Sequence, residues 1–142
     1  MIRATGATFV ATALVTLAAA PGASAASPLS DLVTFQSPSK NVGCALDKAF
    51  ARCDIRKRDF KIPKKPSSCR LDWGQGLSLD VTGKGQFVCA GDTTLGTGKV
   101  LRYGKSMTRG RFTCTSLKSG MRCTNTKNKH GFQLSRQKVT RF

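Results

Sequence analysis

The sequence predicts an all-β protein: a small, disulfide-stapled sandwich or barrel built of short antiparallel hairpins. Three observations carry that prediction. Short apolar–polar alternations recur at intervals of roughly 8–12 residues, with Gly, Pro, Asn or Asp between them, the pattern of half-buried strands joined by tight turns. Helical periodicity is missing downstream of the N-terminal apolar run. Six cysteines lie in the same region, and four of them form two pairs with identical spacing, Cys44 with Cys53 and Cys114 with Cys123.

The N-terminus comes first. Arg3 precedes an Ala- and Thr-rich apolar run, and Ala23-Ser24-Ala25 forms an A-x-A site, the layout of a secretory signal peptide cleaved near Ala25. The run is roughly 15 residues, short against the ~20 that span a bilayer, and no charged stop-transfer pattern follows. The expected organisation is a signal peptide over residues 1–25, a short N-terminal segment over 26–34 and a single all-β domain over 35–142. The expected product is secreted, without a transmembrane segment. An oxidising destination makes three disulfides the natural use of six cysteines.

The predicted strands follow in order. "LVTFQS" (32–37), "NVGCAL" (41–46) and "ARCDI" (51–55) open the series, and "LSLDVT" (77–82) and "QFVCA" (86–90) flank Gly83-Lys84-Gly85. "KVLRY" (99–103), "GRFTCT" (110–115), "MRCTN" (121–125) and "GFQLS" (131–135) complete it. Residues 56–76 break the pattern. Pro63 and Pro66 each remove a ladder donor, so this stretch is expected to be an extended crossing loop pinned by Cys69.

An even number of residues separates the cysteines of each nine-apart pair, so both members face each other across a hairpin. Four-residue loops are expected at Asp47-Lys48-Ala49-Phe50 and at Leu117-Lys118-Ser119-Gly120. Val42, Cys44 and Leu46 then share a buried face with Ala51, Cys53 and Ile55, while Arg52 and Asp54 fall on the other side. In the second hairpin, Phe112 and Cys114 share a face with Met121 and Cys123. Cys69 and Cys89 are left to tie the crossing loop to a strand; other connectivities stay open from sequence alone. No two cysteines have the C-x2-C spacing of zinc or thioredoxin-like sites, so neither metal nor cofactor is predicted.

Catalytic residues are sparse. His130 is the sole histidine, and all seven acidic residues are Asp. Acid–base pairs in small basic hydrolases combine a histidine with a second histidine or a glutamate, and this chain has neither. A hydrolase using His130 with Asp92 is the weakest of three functional readings. "GTGKV" (96–100) resembles a phosphate loop but lacks its first glycine, and Lys99 is followed by Val100 rather than Ser or Thr.

Charge carries more information. Of 24 Lys and Arg, Arg3 lies in the predicted signal peptide; the other 23 against seven Asp leave +16 on the rest of the chain. Such a balance attracts polyanions or simply keeps a secreted domain soluble. Arg56, Lys57, Arg58, Lys61, Lys64 and Lys65 crowd one stretch with Phe60 inside it and Trp73 nearby. Basic residues interleaved with aromatics hold phosphates and stack bases or sugars; the plainer reading is a solvated loop whose aromatics cap the core. Lys127, Lys129, Arg136, Lys138 and Arg141 mark a second basic region. The leading expectation is a non-catalytic binding module for an anionic partner: wall polymer, nucleic acid, or the lipid headgroups of a membrane surface. The alternative is a small disulfide-rich inhibitor or protein-interaction module that presents loop 56–68.

"SPSKNVGCALD", "FVCAGDT", "VLRYG", "FTCTS", "SGMRCTN" and "HGFQLSR" together resemble a family of small secreted actinobacterial six-cysteine proteins classed as a domain of unknown function. The resemblance runs from Phe35 to Phe142. It implies an export signal or lipid anchor and this cysteine framework, and it carries over no activity, ligand or catalytic residue. Lys40 stands where the family pattern has glycine.

Overall fold

The computed structural model describes Gly22 and residues 31–142; the expected signal peptide, Gly22 apart, and residues 26–30 lie outside them. Eleven strands and no helix are present among the described residues. They form two sheets packed face to face, which makes the fold a sandwich and not a closed barrel.

The first sheet contains β1 (Val33–Gln36), β2 (Val42–Leu46), β3 (Phe50–Ile55), β4 (Trp73–Asp80), β5 (Gln86–Cys89) and β6 (Lys99–Val100), in the order β5-β4-β3-β2-β1-β6. Every pairing is antiparallel except β1 with β6. The second sheet is an antiparallel meander of β7 (Ser106–Arg109), β8 (Phe112–Leu117), β9 (Gly120–Asn125), β10 (Gly131–Leu134) and β11 (Val139–Arg141). β4 packs on β9 and β10, and β3 packs on β8. Between the sheets, Phe35, Leu46, Leu77 and Leu79 meet Phe112, Met121, Phe132 and Leu134, all buried.

The disulfides are Cys44–Cys53, Cys69–Cys89 and Cys114–Cys123. Both hairpin pairs sit directly opposite in register, with Cα atoms 4.1 and 4.0 Å apart. Asp47 shapes the first turn, its carboxylate accepting from the amides of Ala49 (2.6 Å) and Phe50 (2.8 Å). The second hairpin is tighter than its sequence implies. Leu117 pairs with Gly120, leaving only Lys118 and Ser119 as the turn. Gly120 permits this with φ 130° and a close pass by the Leu134 carbonyl that a Cβ would obstruct.

Other departures have local causes. β4 begins at Trp73, upstream of the alternation at 77, because Gly74 and Gly76 hide the apolar pattern and a register shift lies between Trp73 and Leu77. β7 and β11 are short, largely polar edge strands without a readable alternation. Only two residues of "KVLRY" pair, alongside β1. β1 opens at Val33, so the sheet takes in the end of the 26–34 segment.

The crossing loop lacks regular structure from Lys57 to Asp72 and is anchored at several points. Phe60 packs against the core, Ile62 sits over Gly74, and the Trp73 indole N–H donates to the Pro63 carbonyl at 2.9 Å.

Candidate anion-binding cleft

Three turns meet at one end of the sandwich. The β1–β2 turn closes with Lys40 N–H donating to the Ser37 carbonyl at 2.9 Å and puts Lys40 in the left-handed region, φ 56°. The Asn41 side chain then grips the chain leaving β3: its Nδ2 donates to the Lys57 carbonyl (2.9 Å) and its Oδ1 accepts from the Lys57 amide (2.8 Å). From the second sheet, the Arg136 carbonyl accepts from the Asp59 amide at 2.8 Å, and Arg136 Nε meets Asp59 Oδ2 at 3.1 Å. These contacts fix residues far apart in sequence around a depression of about 450 Å3 lined by Ser39, Lys40, Asn41, Arg56, Lys57 and Arg136.

Its electrostatics are one-sided. No acidic residue lines the depression. Among the described residues, Arg136 has Asp59 as an ion-pair partner, whereas Lys40, Arg56 and Lys57 have no carboxylate within 4.0 Å. Three unneutralised cations facing a concave surface focus the field and attract anions.

A narrower slot opens from the same place. It encloses about 140 Å3 between the β1–β2, β8–β9 and β10–β11 turns and shares Ser39, Asn41 and Arg136 with the basic depression. Lys118 and Tyr103 lie along it, and Val42, Met121 and Leu134 supply its apolar wall.

Of the sequence-predicted cations, Arg56, Lys57 and Arg136 are thus brought together. Arg58, Lys61, Lys64 and Lys65 are exposed on the crossing loop and line neither cavity. Lys127 and Lys129 occupy the β9–β10 turn, where Lys129 Nζ donates to the Thr126 carbonyl at 2.8 Å. Phe60 is turned toward the core. Trp73 joins a separate groove of about 640 Å3 with Pro63, Phe87 and Arg141. There the Trp73 and Phe87 rings are 6.0 Å apart, and the Arg141 guanidinium lies 5.3 Å from the Phe87 centroid. Lys40 and Lys118 were not among the expected anion contacts.

The acid–base candidates are separated by their partners. Asp92 Oδ1 accepts from Arg52 Nη1 at 2.7 Å, and this hydrogen bond, with the adjacent charge, holds its carboxyl below the usual range. Arg52 also forks onto buried Asp54 at 3.1 and 2.8 Å. Burial pulls the Arg52 pKa down, but hydrogen bonds to Asp54 and Asp92 outweigh it and the guanidinium is held charged. His130 lies beside the β9–β10 turn, its amide donating to Asn128 Oδ1 at 3.0 Å. No hydrogen bond joins it to Asp92 among the described residues.

Asp54 departs from the outward, solvated position that strand parity implies. The loop after β5 folds over that face: the Thr94 amide donates to Asp54 Oδ2 at 2.9 Å, and Thr94 Oγ1 donates to the Gly43 carbonyl at 2.6 Å. Gly43 and Gly76 admit this layer, since a Cβ at Gly43 would strike the Thr94 carbonyl and one at Gly76 would strike the Cys53 carbonyl and Asp54. The resulting network ties the loop to the sheet and leaves no free carboxylate for chemistry there.

Cys53, Cys114 and Cys123 place their sulfurs within 4.8 Å of one another, a spacing that suits a metal, but every one is bonded in a disulfide and offers no thiolate.

No curated protein and no solved structure matches the chain. A family model does match, over residues 12–142, nearly the whole sequence. With its six cysteines joined in three disulfides, the chain belongs to the family of unknown function DUF6636.

Proposed function

We propose that this protein is secreted after cleavage near Ala25 and acts as a non-catalytic binding module for an anionic extracellular polymer. One observation carries the reading: Lys40, Arg56, Lys57 and Arg136, from three separate segments, line one concavity with no acid in its wall. The three disulfides suit an oxidising environment. Among the described residues no helix is long and apolar enough to cross a membrane. The +16 net charge outside the signal peptide (23 basic less seven acidic residues) adds long-range attraction.

Retention on an immobilised polyphosphate, measured against salt, tests the proposal. Release of counterions by about four phosphate contacts gives a log–log slope of roughly −3 to −4. Loss of that slope on replacing Lys40, Arg56 and Lys57 together by Ser supports the cleft, and failure of the wild type to bind at low salt removes the proposal.

A second reading has its own support. The proline-containing loop 56–68 is exposed over Pro63–Ser68 yet pinned at its end by Cys69–Cys89, the construction of a presented interaction loop. A protein partner captured through this loop, with binding insensitive to salt, favours that reading.

A further inference from the structure

We propose that the segment Pro63–Ser68 is a substrate-like inhibitory loop for a serine endopeptidase of trypsin-like specificity, with Lys64 as the side chain that enters the enzyme's acidic pocket. This deepens the second reading above and rests on it; the basic depression plays no part.

Six consecutive residues, Pro63 to Ser68, are exposed between half-buried Ile62 and buried Cys69. The run is nevertheless fixed at both ends. The Trp73 indole N–H donates to the Pro63 carbonyl at 2.9 Å, and the Cys69 amide donates to the Pro66 carbonyl at 3.0 Å. Cys69–Cys89 then ties the end of the run to β5. The rings of Pro63 and Pro66 restrict the backbone further. A segment ordered in advance gives up little freedom on binding, which is how preorganised ligands gain affinity.

What the loop presents is unused. The amides of Lys61, Ile62, Lys64 and Lys65 donate to no backbone carbonyl among the described residues. Exposed backbone of this kind is free to pair with a partner's strand, the mode by which extended peptides bind. Lys64 is exposed and has no carboxylate within 4.0 Å among the described residues. An unpaired long cation on such a backbone matches a pocket closed by a carboxylate, the recognition element of trypsin.

The neighbouring lysines are less suited. Ile62 packs over Gly74, so the bond after Lys61 is held against the sheet. The bond after Lys65 leads into Pro66, whose nitrogen is locked in a ring and carries no hydrogen. Lys64–Lys65 lies between the two anchored carbonyls. There the protease serine Oγ attacks the Lys64 carbonyl carbon and the C–N bond to Lys65 breaks. The serine's proton passes through the protease histidine to the departing Lys65 amine. That amine stays close, because Pro66 is held by Cys69, Pro63 by Trp73, and the two halves of the chain by the β3–β4 pairing. Its return to the acyl carbon, with the proton moving back, re-forms the peptide bond before water completes hydrolysis.

The test is inhibition of trypsin by the purified, oxidised protein, read with a chromogenic arginine peptide. Chymotrypsin is the control arm, and mass spectrometry follows the protein during incubation. The expected result is competitive inhibition of trypsin alone, with any cleavage slow and confined to Lys64–Lys65. Lys64→Ala is expected to weaken inhibition at least ~30-fold, the loss of an anchor residue. Lys64→Phe is expected to transfer inhibition to chymotrypsin. Both changes fall on an exposed side chain, and melting temperatures check that the fold is kept. Trp73→Phe, which removes the indole donor, is expected to make the loop a faster-cut substrate. No inhibition by the wild type, rapid cleavage within the loop, or inhibition that survives Lys64→Ala overturns the proposal. Capture of a non-proteolytic protein through loop 56–68, without inhibition, also overturns it while leaving the second reading in place. Polyphosphate retention of the same samples stands or falls separately.

Discussion

The Sγ atoms of Cys53 and Cys123 lie 3.6 Å apart, so the two hairpin disulfides touch at the centre of the sandwich. Neither sulfur carries a hydrogen, and the contact is one of packing between polarisable atoms. Closing loops of ~10 residues contributes about 2.7 kcal/mol per disulfide in the chain-entropy picture. Replacing Cys44 and Cys53 together by Ala is expected to lower unfolding stability by ~2–5 kcal/mol, and Cys114 with Cys123 similarly. Because the two links share a contact, removing both is expected to depart from additivity by more than ~0.5 kcal/mol. Denaturant midpoints of the three variants check this, and strict additivity would show that the sulfur contact contributes nothing.

Arg52 compensates the buried charge of Asp54. Asp54 has no solvent exposure, and the Arg52 side chain has 13%. Arg52→Met strands a buried carboxylate and is expected to cost ~3–5 kcal/mol. Asp92→Asn removes only the exposed partner and is expected to cost ~0–1 kcal/mol. Thermal melts of the two variants separate these outcomes. Comparable losses would show that Asp54 is solvated in solution.

Acid should weaken the fold through three named carboxylates. Asp31 is held low by its hydrogen bond and ion pair with Lys48, Asp80 by the amides of Gly83 and Thr82, and Asp92 by Arg52. Each has a folded-state pKa below its ordinary value of 3.8. Their contribution is therefore complete above that value and is lost as pH falls through the lowered ones. All three are largely exposed, so the decline is expected to be shallow. Melting curves between about pH 5 and about pH 2 at low and high salt test the assignment. Salt should damp the Asp31 and Asp92 parts while leaving the amide-bonded Asp80 part in place, and Asp80→Asn should remove that residual.

Lys40 holds a left-handed backbone, φ 56°. A non-glycine residue in this region carries a penalty of roughly 1–2 kcal/mol, and glycine returns ~0.4–1 kcal/mol of it through its freer unfolded chain. Lys40→Gly is expected to raise stability by up to ~1 kcal/mol while lowering the salt slope of polyphosphate retention by about one. A stabilised variant with an unchanged slope would separate Lys40 from the binding surface.

What could be read in advance follows a physical divide. Strand alternation and even cysteine spacing are local signals, and they specify the hairpin registers, since parity alone decides which residues face each other. Parity failed at Asp54, which is outward by alternation yet buried because the loop bearing Thr94 folds over it. The meeting of Lys40, Arg56 and Arg136 depends on how the two sheets stack, which no short window of sequence contains. β7 and β11 escaped notice because edge strands bury little and need no pattern.

A fold whose middle is made of two touching cystines is completed by an oxidant as much as by burial. Before oxidation, four thiols sit among the buried Phe, Leu and Met side chains between the sheets, and neither hairpin is clamped. Such a chain is expected to be less stable in reducing surroundings and to gain stability on oxidation. The position of the cystines thus ties the rigidity of the sandwich to the redox state of its surroundings.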